Sequence, residues 1–195
     1  MPFLRSSPGP GRILASWKGG KSQSGPLKNR WQTSLRTVFE TMASSELEML
    51  ESSPAQKITI QLPFGLIGLR HLTRFELEPL EGSFPFQRLL ALEGAEVALI
   101  VLEPHTVLES YPLEISDEDA EDLGLQEGND ALVLSIVAIH SLEPQFVTVN
   151  LVGPIVVNRK TWVGKQVLVA NLEAYSVAHV LVDLREPVES QPLAE

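Results

Sequence analysis

Thr148-Val149-Asn150-Leu151-Val152-Gly153-Pro154-Ile155-Val156-Val157-Asn158, with the following Arg159-Lys160-Thr161-Trp162-Val163-Gly164-Lys165-Gln166-Val167, decides the fold. It holds two short apolar runs rich in β-branched residues, which suit the pleated, half-buried surface of a strand. Gly153-Pro154 interrupts them, and Asn158 to Gly164 closes the second. Pro154 has no N–H to give to a ladder, which predicts a strand start, an edge or a bulge. Gly153 is expected to permit the sharp backbone turn of that bulge. Asn150 and Asn158 end apolar runs, where an amide side chain ties down neighbouring backbone groups. None of these groups is a nucleophile, a metal site or a proton shuttle. The stretch therefore predicts sheet architecture and leaves function to the surface around it.

Strand signatures recur before it. Ala131 to Ile139 is a long apolar run, and Val97 to Leu102 is nearly all apolar, which predicts a central strand buried on both faces. Lys57 to Leu62 alternates, with Ile58, Ile60 and Leu62 on one face; Phe75 to Leu80 places Phe75 and Leu77 inward; Phe86 to Leu92 is a further strand. Glu81-Gly82-Ser83, Glu93-Gly94, Glu127-Gly128-Asn129-Asp130 and Glu143-Pro144-Gln145 are turns between them. Pro104 ends its strand, and Val107 to Ile115 is expected to return as an extended piece. Val167 to Ala170 reads as the last clear strand, while Ala174 to Val182 fits either a strand or a turn-rich segment. The spacing predicts a mainly β protein: a small, twisted, antiparallel β-barrel-like domain over 56–183, with one or two short helices and a tail at 184–195.

A chain of 195 residues, 44% hydrophobic and 21% charged, is long enough for one domain with a real core. The absence of cysteine excludes disulfides, thiolate metal sites and cysteine nucleophiles. No run approaches the roughly 18 apolar residues of a membrane span. The N-terminus has no secretory pattern, so the expected location is cytoplasmic. Charge is segregated. Residues 1–41 carry seven basic residues and one acid, a net +6, and the rest carries eight basic and 24 acidic residues, a net −16. An acidic body repels nucleic-acid phosphates and suits a basic partner; its blander role is solubility. Residues 1–41, rich in Pro, Gly and Ser, are expected to be disordered, as a basic arm or a transit-like segment. Met42, followed by Ala43-Ser44-Ser45 and the acidic body, reads as an alternative start that would leave 1–41 outside the native chain.

Two features carry possible chemistry. Ser116-Asp117-Glu118-Asp119-Ala120-Glu121-Asp122-Leu123-Gly124 predicts a helix, capped by Ser116, with acids in its first turn and Gly124 at its end. Asp117, Glu118, Glu121 and Asp122, with Asp119, form a negative knob. It reads as a solvated face or as a docking point for a basic partner. The order does not match a calcium loop. A second short acidic helix is expected over 44–53, stopped by Pro54. Leu62-Pro63-Phe64-Gly65-Leu66-Ile67-Gly68-Leu69 is a loop in which Gly65 and Gly68 supply positive φ. It lacks the Gly-Lys-Ser/Thr ending of a phosphate loop, and apolar Phe64, Leu66 and Ile67 do not suit a phosphate. His71, His105, His140 and His179 are isolated, and Ser135 lies in an apolar strand outside any G-x-S-x-G elbow. No cofactor and no metal are expected.

These segments, in this order, resemble the FliW family of flagellar assembly factors. Leu62 to Leu69 is similar to the family's F-P-E-G-L-P-G-F loop, and Ser83-Phe84-Pro85-Phe86-Gln87-Arg88-Leu89 to its S-P-F-x-x-L segment. Pro104 to Tyr111 matches P-x-x-x-F-x-x-Y. Thr148 to Asn158 matches T-x-N-L-x-A-P-I-V-I-N, with Gly164-Lys165-Gln166 and Tyr175 following. Phe64 stands where the family has Glu, Ile67 where it has Pro, Leu69 where it has Phe, and Gly153 where it has Ala. The resemblance implies a binding protein, not an enzyme. It implies partners in flagellin and in the translational repressor CsrA, which the family prevents from silencing flagellin mRNA. It implies no direct contact with nucleic acid or membrane, and a monomer is expected. Partner contacts are assigned to Asp117, Glu118, Glu121, Asp122 and Phe64, and structural roles to Gly65, Gly68, Asn150, Leu151, Pro154 and Asn158. The competing readings are a small hydrolase or isomerase using a carboxylate pair in the barrel, and an unrelated β-domain adaptor.

Overall fold

The apolar run from Ala131 becomes one twelve-residue strand, and the sheet is arranged about it. The computed structural model describes residues 13–15, 57–94, 97–126, 130–142 and 145–185. Its strands are β1 (Ile13–Ala15), β2 (Ile58–Gln61), β3 (Arg74–Pro79), β4 (Gln87–Ala91), β5 (Ala98–Leu102), β6 (Leu113–Ile115), β7 (Ala131–Leu142), β8 (Gln145–Val149), β9 (Ile155–Asn158), β10 (Gly164–Gln166) and β11 (His179–Asp183). One α-helix, α1 (Asp117–Asp122), and 3-10 turns at Pro104–Thr106 and Leu172–Ala174 complete the described elements.

The main sheet runs β10-β9-β7-β5-β4-β3-β2, with β8 on β7 and β11 on β8, and every strand pair is antiparallel. On one side β7 pairs with β5, from Val137↔Ile100 to Ser135↔Leu102. On the other it pairs first with β8, up to Val137↔Val149, and then with β9 from Leu134↔Ile155. β8 and β9 are thus one return strand, interrupted where Asn150 to Pro154 leave the ladder. Pro154 ends that excursion immediately before β9, where a missing N–H costs no ladder bond. The sheet curls until a parallel bridge joins Gln61 to Val163, with the Gln61 amide donating to the Trp162 carbonyl at 2.9 Å. The ladder goes no further, so the sheet is barrel-like without being closed.

Both faces of the central strands are covered. Ile60, Leu62, Phe75, Leu89, Val101, Leu134 and Ile155 fill the concave side. Phe86, Leu102, Leu113, Ile115, Leu123, Val149 and Val156 fill the other, under the chain from 104 to 125. All four residues of β9 are buried, which explains the apolar run Ile155-Val156-Val157 that Asn158 ends.

Two asparagines pin the excursion and its exit. Asn150 Oδ1 accepts from the amides of Val152 and Gly153 at 3.0 and 2.9 Å. Buried Asn158 donates from Nδ2 to the carbonyls of Leu123 and Gly124 at 2.9 and 3.3 Å. Its Oδ1 accepts from the amides of Lys160 and Thr161 at 2.8 and 3.4 Å. One amide thereby satisfies two carbonyls at the C-terminal cap of α1 and fastens that helix to the sheet. Leu151 is held from outside, its carbonyl accepting from the buried Tyr111 hydroxyl at 2.6 Å, and burial pushes that phenol's pKa up.

The structure corrects several expectations. Val107 to Ile115 is not one extended piece: Pro104 begins a 3-10 turn, and only Leu113–Ile115 is a strand. The strand expected at Val167 to Ala170 falls instead at Gly164–Gln166, and 167–169 lies along the excursion, Val167 and Val169 donating to Pro154 and Val152. Gly153 lies in the bend at 151–153 without a positive φ; a Cβ there would meet Asn150 Nδ2 at 3.3 Å, so closeness as well as the turn favours glycine. Ala174 to Val182 resolves into the end of a 3-10 turn and β11. Within 1–41, Ile13–Ala15 is a strand paired with β6. The rest of 1–41, the 44–53 helix, the 127–129 and 143–144 turn positions and the tail from 186 lie outside the described residues.

Asn158→Ala strips partners from two carbonyls and two amides at a buried site, and a loss of about 2–4 kcal/mol is expected in denaturant unfolding. Ser135 is fully buried and its hydroxyl has no partner among the described residues. Ser135→Ala is expected to leave the thermal midpoint unchanged or raise it by a few degrees, about 1 kcal/mol for a domain of this size.

Candidate docking site

Leucine spacing and two glycines shape the loop between β2 and β3. Leu62, Leu66 and Leu72 are buried in the concave core. Leu66 and Leu69 pair across the tip, their amides and carbonyls exchanging bonds at 3.4 and 2.9 Å. Gly65 and Gly68 take φ of 63° and 87°, as the sequence predicts. At Gly65 a Cβ would lie 2.6 Å from the Arg70 backbone, so that turn has no room for a side chain. With the leucines turned in, Phe64 and Ile67 point out, 62% and 67% exposed.

Strand β10 supports this loop from beneath. Gln166 Oε1 accepts from the Ile67 amide at 2.8 Å, while its Nε2 donates to the Gly153 carbonyl at 3.0 Å. Leu168, two residues on, is also exposed. Lys165 makes the connection that the sequence did not announce. Its ammonium lies 5.3 Å from the centroid of the Phe64 ring and donates to Asp119 Oδ1 at 2.7 Å and Asp122 Oδ2 at 2.8 Å. Hydrogen bonds to those two carboxylates hold the Lys165 pKa above its ordinary range.

The helix is built as its sequence predicts. Ser116 Oγ accepts from the Asp119 amide at 3.1 Å, and Gly124 follows with φ of 60°. Lys165 draws Asp119 and Asp122 toward β10. Glu118, Glu121 and Asp122 stay exposed and Asp117 half-exposed; Asp117, Glu118 and Glu121 are the part of this negative edge that Lys165 does not hold. Of the residues assigned to partner contact, Phe64 and Asp122 meet through Lys165, whereas Asp117, Glu118 and Glu121 extend the face beyond it. Asp119 belongs to the acidic knob read from the sequence, but its link to Lys165 does not show there. The two stand far apart in the chain, and nothing in a Gly-Lys-Gln triplet names its partner.

Other charged groups pair on the sheet surface, Lys57 with Glu76 and Glu78, Arg88 with Glu78, and Arg159 with Glu103. His71, His105, His140 and His179 sit on different elements, and His140 Nε2 lies 2.8 Å from Thr148 Oγ1. Among the described residues no group of three or more His, Cys, Asp or Glu is placed to hold a metal ion, and no helix is long and apolar enough to cross a membrane.

The family model described as FliW protein matches residues 40–181, a span that includes the loop, the helix and the return strand. This chain belongs to the FliW family. Similar relatives include the flagellar assembly factor FliW of Pseudothermotoga lettingae, 39% identical over 126 residues, covering 65% of this chain and 80% of that protein. That of Thermosipho africanus is 35% identical over 117 residues, covering 60% of this chain and 80% of the other. A crystal structure of the flagellar assembly factor FliW superposes with a TM-score of 0.57 at 25% identity, over 64% of this chain and 86% of that one. In this chain the side chain over Lys165 is the aromatic ring of Phe64, and the lysine has its charge partners on the helix.

Lys165→Met leaves Asp119 and Asp122 facing each other without a cation. A loss of about 1 kcal/mol is expected at low salt, shrinking in 0.5 M salt as screening weakens their repulsion. Urea unfolding at the two salt concentrations measures it.

Proposed function

We propose that this chain is a cytoplasmic flagellar assembly factor that works by binding proteins and transforms no substrate. In this reading it holds flagellin, and it binds CsrA so that flagellin mRNA escapes repression. Flagellin and CsrA compete in effect: accumulated flagellin occupies the protein and frees CsrA. Membership of the FliW family supports this, as does the net charge of −16 after residue 41.

The observation that carries the reading is the joining of exposed Phe64 and Ile67 to the acidic helix through Lys165 and Gln166. Apolar anchors beside a negative edge suit a partner whose apolar contacts are flanked by basic residues. The body over 56–183 carries these contacts as a monomer. The charges act before contact, over a screening length of about 8 Å at physiological salt, and the apolar side chains act after it.

Titration of the full chain with flagellin and CsrA from the same organism, followed by calorimetry and by association kinetics, tests this. Binding to both is expected. Phe64→Ala with Ile67→Ser should weaken one or both complexes about tenfold or more. Asp117→Asn, Glu118→Gln and Glu121→Gln together should slow CsrA association several-fold, with little change in dissociation. Failure to bind either protein would remove the reading; an unchanged association rate would remove the role of the helix.

A further inference from the structure

Strand β6 stands apart from the main sheet. It is three residues long and pairs with Ile13–Ala15 in a two-stranded sheet of its own. On its inner side the Glu114 carbonyl accepts from the Ala170 amide at 2.7 Å. Successive backbone groups of a strand point to opposite sides, so those of Leu113 and Ile115 face outward, toward β1. Ile13↔Ile115 and Ala15↔Leu113 are therefore the hydrogen-bonded pairs, and Leu14↔Glu114 is the open one.

We infer that the outer edge of β6 is a strand-addition site, which this chain fills with its own basic N-terminal segment as a releasable cover. Recognition at such an edge is by main chain and tolerates many side chains, so a three-residue match is both sufficient and weak. Charge adds to it. Ile13 pairs with Ile115, the residue before the Ser116 cap of the acidic helix. The residue before Ile13 is Arg12, and residues 1–41 carry a net +6. Leu113 and Ile115 belong to the core, and the Ala170 amide bonds Glu114 from the inner side, so β6 has anchors of its own beside the cover. A protein that adds a strand at β6 must displace residues 13–15 first.

Hydrogen exchange on the full chain tests this without reference to flagellin or CsrA. Ala15→Pro removes a backbone donor that faces β6. The amides of Leu113 and Ile115 should exchange at least tenfold faster in this variant, while those of β7 and β9 keep their parent rates. A synthetic peptide of residues 8–20 should restore protection saturably, and less well at high salt. Equal exchange at Leu113 and Ile115 in parent and variant, or no protection by the peptide, would overturn the inference.

Discussion

A single buried carboxamide ties the two halves of this protein together. Asn158 closes β9, reaches across to the last carbonyls of α1, and holds the turn to Trp162 through its own oxygen. Asn158 and its bond to the Leu123 carbonyl are buried, so loss of that partner leaves a backbone group with no water to fall back on. The helix is only six residues long and would not persist alone. It survives because its start is capped by Ser116, its end by Asn158, and Ala120 and Leu123 are packed in the core. The negative edge is therefore presented rigidly, at a fixed distance from β10.

Lys165 extends the same logic to the surface. A lysine next to two aspartates and an aromatic ring is a modest source of stability, since it keeps some solvent contact. Its larger effect is geometric. It couples loop, strand and helix, so that apolar and acidic groups form one face rather than two independent patches. Phe64 gives that face an apolar anchor over a cation.

Family membership and geometry bear on different questions. The match over residues 40–181 identifies the kind of protein. The positions of Phe64, Ile67 and α1 indicate where a partner has something to grip. The β6 edge adds a second mode of contact, through main chain, at the other end of the acidic helix.

Much of this was legible in the sequence, and for local reasons. Apolar runs of the right length, β-branched composition, Pro154 at a strand start, Gly65 and Gly68 at positive φ and the Ser116 cap are each decided by a residue and its immediate neighbours. Such effects survive without knowledge of the rest of the chain. Where the neighbours were ambiguous the reading slipped, as at 164–170, where several alternations of similar quality compete and only pairing with Ile155 to Val157 selects one. The pairing of β8 and β9 as one interrupted strand, the contact of Lys165 with Asp119 and Asp122, and the hold of Asn158 on α1 were set by tertiary structure alone. They join groups dozens of residues apart, and their energy appears only when the sheet has curled far enough to bring them within hydrogen-bonding distance.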